Sequence, residues 1–80
     1  MKELYCEKTY NGGELFTKCY YKDSTKQELH REDGPAKIEY HSNGNIRAEE
    51  YYKYGVWHRD NNGPVIVYYY KSGNIKSVVS

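Results

Sequence analysis

Residues 29–36 read Leu-His-Arg-Glu-Asp-Gly-Pro-Ala, and residues 57–65 read Trp-His-Arg-Asp-Asn-Asn-Gly-Pro-Val. The second stretch repeats the first with one extra residue before the glycine. Downstream, the Asn-Gly-Asn-Ile of residues 43–46 returns as the Ser-Gly-Asn-Ile of residues 72–75, and the glycines of both motifs recur after 29 residues. Similarity at a fixed period of this length indicates a repeat architecture.

The N-terminal part of the chain fits the same scheme more loosely. Gly12-Gly13 takes the place of the turn, and the Cys-Tyr-Tyr-Lys of residues 19–22 parallels the Glu-Tyr-Tyr-Lys of residues 50–53. The sequence therefore predicts a single domain over residues 1–80, made of a degenerate repeat at 1–28, a repeat at 29–56 and a C-terminal repeat at 57–80.

Each repeat is predicted to be a β-hairpin, because aromatic and β-branched runs flank short turns that contain glycine. Helix is expected at most as a turn around Ser24 to Gln27. If Gly12-Gly13, Asn43-Gly44 and Ser72-Gly73 are the central turn residues, counting outward fixes the cross-strand pairs. The predicted pairs are Glu7 with Lys18, Tyr5 with Tyr20, Tyr10 with Leu15, Lys37 with Glu50, and Ala36 with Tyr51.

Length and charge exclude several classes of function. Eighty residues with a net charge of +1 allow neither a large enzyme core nor strong nucleic-acid binding. The mean hydropathy of −1.06 understates the core, because eleven residues are tyrosines with large buriable rings. Neither a membrane-spanning run nor a signal-peptide stretch is found, so a soluble cytoplasmic protein without membrane contact is expected.

The C-terminal hairpin differs from the second one because both of its faces are apolar. In the second repeat, Lys37, Glu39 and His41 are expected to keep one face wet. The predicted faces of the C-terminal hairpin are Ile66, Tyr68, Tyr70, Ile75 and Val79 on one side, and Val65, Val67, Tyr69 and Val78 on the other. An apolar terminal repeat implies a protein partner, a homodimer formed through this hairpin, or an aggregation hazard. The predicted partner-binding residues are Ile66, Tyr68, Tyr70, Ile75, Val79 and Trp57.

The motif His-Arg-x-Asp-Gly-Pro-Ala, followed by an alternating strand, an Asn-Gly turn and a Tyr-Tyr strand, resembles the variant MORN repeats of bacterial, phage and large-virus proteins. The resemblance covers residues 29–80 well and 1–28 weakly. It implies β-hairpins side by side in an elongated, twisted, single-layer antiparallel sheet that serves as an interaction surface, without a shared catalytic activity. It assigns Gly34-Pro35 and Gly63-Pro64 as corners, Gly44, Gly55 and Gly73 as turns, and Tyr51, Tyr52 and Trp57 as ring packing between units.

The pairs His30-Arg31 and His58-Arg59 are the most tempting functional residues, since a cation beside an imidazole can hold an anion or a phosphate. Because they recur at the structural period, the preferred interpretation is structural: they tie the turns at Asp33 and Asp60 by charge-assisted hydrogen bonds. His30, His41 and His58 lack a compact metal-ligand spacing, so neither a metal nor a cofactor is expected.

Cys6 and Cys19 match neither a redox motif nor a zinc motif. The predicted register places them directly opposite each other, where a strained cross-strand disulfide is geometrically feasible. In a reducing cytosol, two buried thiols are expected instead. No catalytic residue is predicted.

Two functions stay open at this point. The first is a non-enzymatic protein-interaction module, such as a small phage or viral accessory protein that occludes a larger enzyme or host-defence complex, which would place it in the host cytoplasm. The second is a small-ligand or nucleotide-sequestering protein that uses the His-Arg pairs for phosphate and tyrosines for the base.

Overall fold

A computed structural model of the chain describes residues 5–59 and 63–80, and every regular element in these residues is a β-strand. The strands are β1 (Tyr5–Asn11), β2 (Glu14–Tyr21), β3 (Lys37–Tyr40), β4 (Ile46–Glu50), β5 (Tyr52–Lys53), β6 (Val56–Trp57), β7 (Ile66–Tyr69) and β8 (Ile75–Val79). Residues 23–26 form a turn, closed by the amide of Lys26 donating to the carbonyl of Asp23 at 3.1 Å. Over the two described ranges, nothing helical is long and apolar enough to cross a membrane.

Six strands make one antiparallel sheet in the order β1-β2-β3-β4-β7-β8, and β5 pairs with β6 in a separate small sheet. The hairpins β1–β2, β3–β4 and β7–β8 lie side by side, so that the second strand of one hairpin pairs with the first strand of the next. The prediction of an all-β chain of antiparallel hairpins is confirmed.

The first hairpin turns through Gly12 and Gly13, both at positive φ, as predicted. Tyr10 lies opposite Leu15 as predicted, but β2 then carries one extra residue, Phe16, as a β-bulge. The bulge moves every later pair by one position. Tyr5 lies opposite Tyr21, Cys6 opposite Tyr20, and Glu7 opposite Cys19, so the predicted pairs of Tyr5 and Glu7 are wrong.

The same shift separates the two cysteines. Cys6 pairs with Tyr20 and Cys19 with Glu7, and because neighbouring positions of a strand point to opposite faces, the two thiols lie on opposite faces of the sheet. Both are free thiols. Cys6 is exposed and Cys19 is half-buried, so the predicted opposition is wrong and the expected burial fails for Cys6.

The second hairpin turns through three residues rather than two. The amide of His41 donates to the carbonyl of Asn45 at 2.8 Å, and the amide of Gly44 donates to the carbonyl of His41 at 3.0 Å. This wider turn displaces the register by one, and a bulge at Arg47 displaces it back.

The predicted pair of Lys37 with Glu50 is therefore confirmed. Ala36 departs from the prediction, because its amide donates to the carbonyl of Glu50 at 2.8 Å and it is not paired with Tyr51.

The third hairpin repeats this geometry 29 residues later. The amide of Tyr70 donates to the carbonyl of Asn74, and the amide of Gly73 donates to the carbonyl of Tyr70, both at 2.9 Å. Its bulge, at Lys76, leaves Ile75 opposite Tyr69. Paired residues share a face, so Ile75 lies on the face of Val67 and Tyr69, and its predicted place beside Tyr68 and Tyr70 is wrong.

The core sits at the middle of the large sheet, on both of its faces. One face buries Ala48 and Ile66, and the other buries Ile38 and Val67. Lys37 and Glu39, which are expected from the sequence to keep one face exposed to solvent, are half-buried. There Glu39 accepts a hydrogen bond from the guanidinium of Arg47 at 3.0 Å, so its charge is paired.

Candidate functional site

The guanidinium of Arg31, the first candidate anion ligand, is held between the ring of Tyr20 in β2 and groups that follow it in the chain. Its Cζ lies 4.1 Å from the ring centroid of Tyr20, Nε donates to Asp33 at 3.3 Å, and Nη1 donates to the carbonyl of Pro35 at 3.3 Å. A Cβ on Gly34 would lie 3.1 Å from Cζ. The predicted tie between Arg31 and Asp33 is therefore present, together with a cation–π contact.

Arg59 is held in the same way in the later His-Arg pair. Its Cζ lies 4.0 Å from the ring centroid of Tyr51, and Nη1 donates to the carbonyl of Pro64 at 3.0 Å. A Cβ on Gly63 would lie 2.8 Å from Nε. The predicted partner Asp60 lies outside the described residues. The glycine before each proline thus leaves room for a guanidinium, which gives the Gly-Pro corners a physical basis.

His30 is the buried polar side chain of the described core, with 5% of its surface exposed. Its Nδ1 accepts a hydrogen bond from the amide of Tyr54 at 3.1 Å, and its ring centroid lies 4.5 Å from that of Tyr54. Its Nε2 lies 3.4 Å from a carboxylate oxygen of Glu32. His58, the equivalent residue, is exposed.

The histidines do not come together. His41 follows β3 at the turn of the second hairpin, where its Nε2 donates to the carbonyl of Tyr69 at 3.0 Å. In residues 5–59 and 63–80, no group of three or more His, Cys, Asp or Glu side chains is arranged to hold a metal ion.

Several tyrosines also donate hydrogen bonds within the molecule, whereas the sequence indicates only that their rings can be buried. The hydroxyl of Tyr69 donates to Glu49 at 2.5 Å, and the hydroxyl of Tyr52 donates to Glu50 at 2.8 Å. Burial, followed by the hydrogen bond to Glu49, raises the pKa of Tyr69 to about 12. The ring of Tyr52 also packs 6.4 Å from that of Trp57, which agrees with the assigned ring packing.

The C-terminal hairpin carries the remaining predicted site residues, and the structure divides them. Ile66 is only 4% exposed and belongs to the core, so it cannot contact a partner. Tyr70 is 53% exposed and Ile75 is 61% exposed. Tyr68, Val78 and Val79 are exposed as well, and the whole of β8 is open to solvent. Trp57 lies apart from this hairpin in β6 and is 54% exposed.

These residues define two surfaces. We call Tyr68, Tyr70, Ile75, Val78 and Val79 the C-terminal surface. It includes both faces at the outer edge of the sheet, because Tyr68 and Val79 lie on one face and Ile75 and Val78 on the other. We call residues 56–59, which include Trp57, the 56–59 segment. The sequence prediction groups members of both, because the apolar pattern does not show that β6 leaves the large sheet.

The chain matches no protein-family model, no curated protein and no solved structure.

Proposed function

We propose that this protein is a non-enzymatic protein-interaction module that contacts its partner through the C-terminal surface. The observation that carries the proposal is the exposure of β8 along its whole length at the outer edge of the six-stranded sheet. Val78, Val79 and Ile75 supply apolar area there. Edge strands with exposed apolar side chains add a strand from another chain, because their amides and carbonyls are open to pairing.

The equivalent strands inside the molecule support this role. β2 accepts β3 along residues 17–19, and β4 accepts β7 along residues 48–50. By the same hairpin register, residues 77–79 of β8 occupy the corresponding place. A strand laid against them by a partner would continue an arrangement that the chain already makes twice.

The outward aromatic residues give this surface its second component. Tyr68 and Tyr70 occupy the places of Glu39 and His41 in the preceding hairpin, which are polar. Tyrosines are enriched at protein interfaces because a large ring is ordered at low cost in entropy. The partner therefore covers the edge of β8 and these two rings together. If that partner is a larger enzyme or host-defence complex, this protein occludes the part of it that is bound.

Contacts of the His-Arg pairs weigh against the nucleotide-sequestering alternative. Both guanidinium groups are stacked on tyrosines and donate to backbone carbonyls, and His30 uses both ring nitrogens internally. A phosphate bound there would have to displace these contacts.

We also infer that the hairpins form three repeats of the variant MORN kind in a twisted sheet. The equal spacing of the turn hydrogen bonds at His41 and Tyr70, and the matching contacts of Arg31 and Arg59, support this inference.

The test combines sedimentation with affinity capture from the source cell. Tyr68→Lys and Tyr70→Lys are expected to abolish either self-association or capture of a specific protein. Tyr10→Lys, an exposed tyrosine on the opposite edge strand, serves as the matched control and should leave both unchanged. A wild-type monomer whose captured proteins are the same for all variants would overturn the proposal.

A further inference from the structure

The chain contains one segment that shows how a β-turn docks onto it. The carbonyl of Leu29 accepts a hydrogen bond from the amide of Gly55 at 2.9 Å, and the amide of Arg31 donates one to the carbonyl of Tyr52 at 3.2 Å. Between these two hydrogen bonds, Nδ1 of His30 accepts a third one from the amide of Tyr54. Residues 52–55 thereby cover residues 28–31 with backbone hydrogen bonds and one ring contact.

The 56–59 segment is the structural equivalent of residues 28–31. The amide of His58 donates to the carbonyl of Tyr51 at 3.0 Å, and the amide of His30 donates to the carbonyl of Tyr20 at 2.9 Å. In each case the arginine after the histidine stacks on the tyrosine whose carbonyl the histidine contacts: Arg31 on Tyr20, and Arg59 on Tyr51. Trp57 pairs with Tyr52 as Leu29 pairs with Tyr21, so Trp57 takes the place of Leu29.

The outer side of the 56–59 segment has the groups that docking requires. In an antiparallel pair, successive residues direct their backbone groups alternately toward and away from the neighbouring strand. Because His58 bonds toward Tyr51, the carbonyl of Trp57 and the amide of Arg59 point away from it, as those of Leu29 and Arg31 do. Val56 and Trp57 are both exposed on this edge.

We propose that the 56–59 segment binds, in trans, a β-turn of a partner polypeptide in which an aromatic residue precedes a glycine. The carbonyl of Trp57 accepts the amide of that glycine, and the amide of Arg59 donates to a carbonyl three residues before the glycine. The aromatic ring packs on the imidazole of His58. This surface is separate from the C-terminal surface and extends the proposed function.

The residues that the partner's turn needs are inferred from the turn at residues 52–55, which covers residues 28–31. Tyr54 and Gly55 both adopt positive φ, at 51° and 82°, which places their two amides on the same side. Glycine adopts this conformation at no steric cost, and its missing side chain lets the backbone approach closely. A second copy of the chain does not fit, because its own residues 52–55 already cover its residues 28–31.

The probe is a capped peptide with the sequence of residues 51–56, Tyr-Tyr-Lys-Tyr-Gly-Val, titrated to a few millimolar into the full chain. Trp57 is the sole tryptophan, so its emission reports on this edge alone. We expect a saturable blue shift of that emission and amide chemical-shift changes confined to residues 56–59. The matched control peptide carries proline in place of the glycine and lacks the donor amide, so it should leave both signals unchanged.

The same titration separates this inference from the proposed function. The Tyr68→Lys and Tyr70→Lys variants should bind the peptide as the wild type does. No saturable change, equal effects of the two peptides, or shifts that map to β8 would each overturn the inference, and none of these results depends on whether the C-terminal surface binds a partner.

Discussion

Arg31 lies over the ring of Tyr20, with its Cζ 4.1 Å from the ring centroid, although the two residues belong to different segments of the chain. Tyr20 is in β2, and Arg31 is in the connection that leads to β3. The contact fixes the path of that connection back to the sheet, since the same guanidinium also donates to the carbonyl of Pro35 at the corner.

Replacing this arginine by lysine is therefore expected to destabilise the fold. Arg31→Lys keeps the charge but loses the planar stacking group and its fixed donors, and should lower the free energy of unfolding by about 0.5–2 kcal/mol in urea denaturation. A double-mutant cycle with Tyr20→Leu should show coupling of the two residues. Arg47→Lys is the control, because Arg47 lies farther from its aromatic neighbour, at 5.3 Å. Additive effects in the cycle would contradict the assigned contact.

The turn glycine Gly44 has a φ of 90°, which a β-branched residue adopts only with strain. Gly44→Val should cost about 1–3 kcal/mol of stability. Nothing lies within 4 Å of the place that a Cβ would take there, so this cost reports on the backbone alone. Lys37→Ala, on the neighbouring strand β3, should cost less. Equal melting temperatures of the two variants would mean that this glycine does not set the turn.

His30 and His58 should respond differently to the same substitution. His30→Ala leaves the amide of Tyr54 without its acceptor and removes a buried ring, at a cost of about 1–3 kcal/mol. His30→Asn, which supplies an oxygen near the position of Nδ1, should recover part of the loss. His58→Ala, at an exposed position, should cost less in the same thermal melts. If the two alanine variants lose equal stability, burial of His30 is not what distinguishes the two His-Arg pairs.

Stability should fall in strong alkali. The pKa of Tyr69 is raised from 10 to about 12 in the folded chain, by burial and then by its bond to Glu49. Above pH 10 the unfolded chain loses this proton while the folded chain keeps it, so the free energy of unfolding decreases between pH 10 and about 12. Urea denaturation at several pH values should show a shallower decrease for Tyr69→Phe than for Tyr70→Phe, whose exposed ring is the control. Identical pH profiles would contradict the role of Tyr69.

The hairpins themselves could be predicted, because alternating apolar residues and the glycines of the turns are local signals. The bulges could not. Phe16, Arg47 and Lys76 share no side-chain property that marks an extra residue in a strand. Counting outward from the turn pairs Lys37 with Glu50 correctly only because the wider turn and the bulge displace the register in opposite directions.

The candidate sites show the same limit. The tie between Arg31 and Asp33 could be predicted because the two residues are close in sequence and opposite in charge. The stacking of Arg31 on Tyr20 depends on how the connection returns to the sheet, and the burial of Ile66 depends on the neighbouring strand β4. Neither is a local property of the sequence.

The bulge at Phe16 also determines what oxidation can do to this molecule. Because the side chains of Cys6 and Cys19 leave the sheet in opposite directions, their sulfurs cannot meet while β1 and β2 stay paired. Cys6 is open to reagents, whereas burial raises the pKa of the Cys19 thiol and leaves less of it as reactive thiolate. Mild oxidation therefore crosslinks separate chains through Cys6 and forms no ring within one chain, and a thiol-specific label at limiting concentration marks one face of the sheet only.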